Sequence, residues 1–307
     1  MGLLPTGLRP AWSGSSFLLY AGTFTVLVSL GVLLGTLGDL HGSWALVGWC
    51  ALFLALLAVA ADRSRHDGRE VTAGLAAFVA VVVFGVAVGA FLDAVGLADG
   101  VSPFDTDLEL APLVVELAVL GAALYAARRF RFPLLLLLAI AAKTALVLDT
   151  VAGIFGGGNW IAWAALLLGL VELALASTLD GGGKREWAMW KHVAAALLIG
   201  GAAVSLLDGG DVGWILVGLV ALGFLGLARS FGRAAWAVVG AFLLFLVTTH
   251  FVDESDVIFD VLPLPVEGGG DGLELWQTAL VYVGLGVVYA LLGQWLRQPT
   301  LHGGGKA

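Results

Sequence analysis

The chain has 307 residues, of which 60% are hydrophobic and only 12% charged, with a mean hydropathy of +1.00 and a formal net charge of −8. A soluble domain carries about 25% charged residues, so the composition excludes a soluble globular protein and predicts an integral membrane protein. The acidic balance argues against nucleic acid as a partner, and the single cysteine, Cys50, excludes an intramolecular disulfide framework.

A bilayer core about 30 Å thick is crossed by roughly 20 apolar residues in helical form. Runs of that length predict ten spans, at 17–38, 43–61, 71–95, 108–127, 133–155, 159–178, 191–207, 213–229, 233–251 and 274–296. The expected fold class is therefore all-α, a polytopic membrane protein built from helical hairpins. The seventh and eighth spans are short enough to be tilted or partly re-entrant. The leading segment "MGLLPTGLRPAWSGSS" has no small-residue cleavage site after it, which predicts an uncleaved first helix.

Basic residues collect in alternate loops: Arg9; Arg63, Arg65 and Arg69; Arg128, Arg129 and Arg131; Lys184, Arg185 and Lys191; Arg229 and Arg233; Arg297 and Lys306. The intervening loops carry acids, among them Asp39, Asp99, Asp105, Asp107, Asp208, Asp211 and the stretch "VDESDVIFDVLPLPVEGGGDG" (252–272). Because Lys and Arg mark cytoplasmic loops, this alternation predicts a multi-pass plasma-membrane protein with both termini cytoplasmic. Three regions are expected: an N-terminal hairpin (1–70), a four-helix core (71–178) and a C-terminal four-helix region (179–307).

Outer Gly-x-Trp entrances recur in "GSWALVGW" (42–49), "GNWIAWAA" (158–165) and "VGWILVGL" (212–219), and "DLELAPLVVELAVLGAALYA" (107–126) parallels "GLELWQTALVYVGLGVVYAL" (272–291). These matches suggest a parallel repeat relating spans 1–4 to spans 7–10, although Leu/Ala/Val/Gly helices also resemble one another by composition alone. Small-residue spacings such as Gly31 to Gly35 and Gly85 to Gly89 are read as close-packing positions.

An ionisable group at a helix centre costs about 2.5 to 3.5 kcal/mol on insertion scales, and such groups pair or line polar paths. Glu116, Lys143, Asp149 and Glu172 fall in three successive spans, at depths from the acidic side of about 12, 18, 9 and 20 Å. Of the Lys and Arg residues, only Lys143 lies in the interior of an expected span rather than at its end, so it is predicted to pair with Glu116 or Glu172. Asp149 and Lys143 are six residues apart and point about 120° away from each other. Asp149 is then left toward the outer mouth with Thr150, joined by Asp93, while His250 holds the equivalent level in span 9.

No other chemistry stands out. "DGGGKREW" (180–187) lacks the spacing of a phosphate-cradling loop and reads as a turn. The five histidines, His41, His66, His192, His250 and His302, have no metal or haem spacing, so no metal, cofactor or catalytic set is expected. "ARRFRFP" (127–133) places Arg128, Arg129 and Arg131 in a basic-aromatic inner loop suited to anionic headgroups or to setting topology.

The stretch "ELAVLGAALYAARRFRFPLLLLLAIAAKTALVLDT" (116–150) resembles the core of the phosphate-starvation-inducible PsiE-type membrane proteins. The matching positions are Glu116, Phe130, Phe132 and Pro133, with Lys143 and Asp149 in the following helix. The likeness covers spans 3 to 6, with Lys143 standing where the family tends to carry Arg. It implies a small helical inner-membrane module linked to phosphate stress and supplies no mechanism.

Three functional readings follow. The leading one is a non-enzymatic PsiE-like membrane module that conducts or senses a small cation or proton through the Glu/Lys/Asp cluster. The second is a structural or interaction subunit, as a homo-oligomer or within a membrane complex, whose buried charges clamp helices. The third is a ten-helix metabolite carrier, against whose inverted architecture a parallel repeat would argue.

Overall fold

A computed structural model describes residues 14–98, 109–207, 210–252 and 275–297. Asp99, Asp105, Asp107, Asp208, the acidic stretch from 253 to 272, and both terminal segments with Arg9, His302 and Lys306 lie outside the described residues. Ten helices follow one another: α1 (Gly14–His41), α2 (Ser43–His66), α3 (Glu70–Ala94), α4 (Leu110–Phe130), α5 (Leu135–Phe155), α6 (Asn159–Gly181), α7 (Arg185–Leu207), α8 (Asp211–Phe231), α9 (Ala234–Val252) and α10 (Leu275–Arg297).

Among the described residues, nine helices are long and apolar enough to cross a bilayer, and there are no strands. The protein is a polytopic all-α membrane protein. Apolar side chains cover much of its outer surface, including Phe24, Val28, Leu56, Leu167, Leu219 and Phe242, each more than half exposed. In a lipid solvent that exposure costs nothing, because the tails are as apolar as leucine.

The seventh and eighth spans are neither short nor broken, since α7 has 23 residues and α8 has 21. Starting the expected span at the last charge, Lys191, misplaced the beginning of α7. That helix begins at Arg185, so Lys191 lies inside it, more than a turn from its start. Lys143 is therefore not the single cation within a span.

The chain divides into two compact units with the boundary between Ile161 and Ala162, inside the first turn of α6. In unit 1, α3 is the hub, packed against α1, α2, α4 and α5. Its mean burial is the highest of the spanning helices, and Val79 and Val83 close a small core with Leu34 of α1 and Cys50 of α2. Tight turns reverse the chain between helices. At the α2–α3 turn, Gly68 has φ 73°, and the Arg69 amide returns to the Ser64 carbonyl at 2.8 Å. Three consecutive glycines, 156 to 158, take φ values of 80°, 81° and 62° between α5 and α6, a run that side chains other than glycine would resist.

Unit 2 is centred on α9, which packs against α7, α8 and α10. Its core joins Ala195, Ala196, Val217, Ala221, Phe224, Ala228, Trp236 and Leu243. Gly240 permits the close approach of α8: a Cβ there would lie 2.9 Å from the Ala221 carbonyl oxygen. In unit 1, Gly85 and Gly89 meet Val119 and Val115 of α4, whereas Gly31 and Gly35 have nothing within 4 Å. Of the two small-residue spacings, only the one on α3 is used for packing within the described chain.

Candidate functional site

Among the described residues of unit 1, two cavities lie at opposite ends of α3 and α4. The first, about 380 Å³, lies where α3 ends, α4 begins and α5 approaches its C-terminus. Gly89 and Leu92 of α3, Ala111, Pro112 and Val115 of α4, and Ala98 just beyond α3 form its apolar wall. Small residues on both α3 and α4 leave this space open: a Cβ on Gly89 would still be 3.9 Å from Val115.

Two acidic side chains enter that wall, Glu116 from α4 and Asp149 from α5. Both carboxyl groups line this one cavity, close enough to interact electrostatically. Oε2 of Glu116 and Oδ1 of Asp149 are buried with no hydrogen-bond partner. Two ionised carboxylates about 4 Å apart repel by roughly 4 kcal/mol at an effective dielectric near 20. A carboxylate cannot donate a hydrogen bond, so the two groups can bond each other directly only where one of them carries a proton.

Glu116 was expected to meet Lys143 or to leave that cation to Glu172, and Asp149 was expected toward the outer mouth with Thr150. The structure places Asp149 beside Glu116 in the lining of this cavity, a proximity not expected from the sequence. The angular offset explains this: with Asp149 facing α4, Lys143 points about 120° away along α5, where it is half-buried. The other acid of the expected cluster, Glu172 of α6, has no exposed surface and bonds Lys191 of α7, with Nζ 2.7 Å from Oε2.

The remaining candidates fall in different places. Asp93 is exposed at the end of α3 and accepts a hydrogen bond from Ser43 at the start of α2. Thr150 directs its hydroxyl to the Leu146 carbonyl of its own helix at 2.6 Å. His250 stacks on Trp214 at 4.8 Å and lies 3.4 Å from Asp211. Arg129 reaches Asp62 of α2 at 2.8 Å, Arg128 is exposed, and Arg131 lines the second cavity.

Sequence reading missed a buried polar network in unit 2. Asp180, at the end of α6, bonds His192 of α7 at 2.9 Å and also pairs with Arg233, the residue before α9. Trp236, one helical turn beyond Arg233, donates from Nε1 to Nδ1 of His192 at 3.1 Å. His192 and Trp236 have no exposed surface. The histidines looked scattered because each was compared only with other histidines. The available signal was Arg233 and Trp236, spaced i, i+3 and so on one helical face.

Among the described residues, no group of three or more His, Cys, Asp and Glu side chains could hold a metal ion. Compared with protein-family models and with characterised proteins, the chain matches none.

Proposed function

We propose that this membrane protein is a non-enzymatic module that takes up a proton or a small monovalent cation at the Glu116–Asp149 pair and conducts or senses it across the bilayer. The observation that carries this reading is the pair of facing carboxyl groups, each with a buried oxygen lacking a partner, in a cavity at one end of a spanning bundle. Intramembrane acids that line a cavity are characteristic of ion and proton routes. In the orientation favoured by the arginine-bearing loops, the cavity faces outward, both termini are cytoplasmic and the membrane is the plasma membrane. The PsiE-type resemblance of 116–150 adds a link to phosphate stress to the same proposal and no mechanism.

A second reading, a structural subunit clamped by its charges, draws support from Glu172 and Lys191, which are close-paired and have little or no exposure. The two readings part on flux. Reconstituted protein should carry protons or monovalent cations into proteoliposomes, and Glu116→Gln and Asp149→Asn variants that remain folded should not. If wild-type protein carries neither ion while the variants lose thermal stability, the clamp reading replaces the conducting one.

A further inference from the structure

The second cavity of unit 1, about 540 Å³, lies at the end away from the carboxyl pair. Three helices contribute to it: Arg65 from the last turn of α2, Glu70 from the start of α3, and Arg129, Phe130 and Arg131 where α4 ends. Three guanidinium groups against one carboxylate leave a surplus of two positive charges in the lining. Arg129 is already held by Asp62. Among the described residues, neither Arg65 nor Arg131 has an ion-pair partner, so their donors are available to a ligand.

Arg131 reaches the cavity from an unusual backbone. Its φ is 51°, and among the described residues it is the only one other than glycine with positive φ. A left-handed conformation costs roughly 1–2 kcal/mol for an L-residue with a Cβ. Here it caps α4, with the Arg131 amide bonded to the Ala127 carbonyl at 3.0 Å. The next residue pins the turn: the buried Phe132 ring lies so close to α3 that a Cβ on Gly74 would come within 2.3 Å of it. The turn thus fixes the Arg131 backbone beside the cavity that its side chain lines, and strain of this kind gathers at ligand sites.

We propose that this cavity binds the phosphodiester headgroup of an anionic phospholipid, with Arg65 and Arg131 on the phosphate oxygens and Glu70 accepting a headgroup hydroxyl. Guanidinium groups match phosphate with paired, charge-assisted hydrogen bonds. The lining sits at the ends of spanning helices, the level at which headgroups lie, and Phe130 gives it one apolar wall. Glu70 favours a singly charged diester bearing hydroxyls over a free phosphate dianion, which it would repel. This site is independent of the carboxyl pair.

The test is lipid binding by the purified full chain in mild detergent, comparing phosphatidylglycerol with phosphatidylcholine of the same acyl chains by native mass spectrometry. Wild type should prefer phosphatidylglycerol by about tenfold, the scale of one charge-assisted hydrogen bond. Arg65→Gln and Arg131→Asn should lose that preference, asparagine being chosen because it tolerates the left-handed backbone. Arg128→Gln, which removes an exposed charge outside the lining, should keep it. Equal binding of the two lipids, or equal loss in Arg128→Gln, overturns the proposal. Stabilisation by inorganic phosphate with none from the lipid overturns the lipid as the source. Lipid analysis of wild-type protein as isolated requires no variant, and failure to find anionic lipid enriched over the bulk membrane would also count against the site.

Discussion

Nε1 of Trp236 donates a hydrogen bond to Nδ1 of His192 across 3.1 Å, and neither side chain has exposed surface. An indole nitrogen can only donate, so Nδ1 of His192 is the acceptor. The imidazole proton of the neutral ring then sits on Nε2, where it faces Asp180 at 2.9 Å. One aromatic contact on α9 thereby fixes the tautomer of a histidine on α7 and aims its proton at a carboxylate on α6.

Trp236→Phe keeps most of the ring volume and removes the donor. The variant should lose about 1–3 kcal/mol of stability, the cost of a buried polar group without its partner, and thermal unfolding in detergent would show it. Nitrogen NMR of wild-type protein should place the His192 proton on Nε2. A proton found on Nδ1 would contradict the arrangement.

Lys191→Met takes a counter-charge from Glu172, which has no exposed surface. Breaking one side of a buried pair typically costs about 3–5 kcal/mol, so the unfolding midpoint should fall steeply. Adding Glu172→Gln should recover part of the loss, because the demand for a counter-charge goes with the carboxylate. A single variant as stable as wild type would show that the pair does not hold α6 to α7.

The glycines separate by what faces them. Gly240→Ala would bring a Cβ to 2.9 Å from the Ala221 carbonyl oxygen, a backbone atom that cannot swing aside, and should destabilise the protein by about 1–3 kcal/mol. Gly31→Ala meets nothing within 4 Å and should be neutral or slightly stabilising. Equal effects at the two positions in a thermal-shift comparison would argue against the α8–α9 approach.

Arg129 and Asp62 form an ion pair in which both side chains remain close to half exposed. Pairs this open contribute about 0–1 kcal/mol. Arg129→Gln should therefore leave thermal stability nearly unchanged, and a large loss would mean that the pair is more enclosed than its exposure indicates.

The helices were legible in the sequence because hydropathy over some 20 residues depends on no neighbour: each expected span overlaps an observed helix. The ends were less legible. Lys191 was taken for a loop residue because charge was used to mark where a span begins, yet a buried Glu172 lets that charge sit inside α7. At the candidate site, Glu116 and Asp149 were recognised as buried acids, but their mutual contact was not. Attraction suggested an acid beside the lysine, and the spacing of acids along separate helices gave no sign that Glu116 and Asp149 would line one cavity. Rotation about a helix axis depends on packing, which a single chain's hydropathy does not encode. The Asp180–His192–Arg233–Trp236 network escaped for a related reason, since it is drawn from three helices and joins residue types not usually sought together.

The claim that Glu116 and Asp149 form a proton or cation site is tested most directly by carbodiimide labelling of the full protein in membranes, read by peptide mass spectrometry. Carbodiimides modify protonated carboxyl groups in apolar surroundings. Labelling is expected at Glu116 or Asp149, slowed by the cation the protein carries and by rising pH, with transport falling in step. If neither residue is labelled, or if labelling proceeds without any effect of cation or pH and leaves transport intact, the pair is not the ion site.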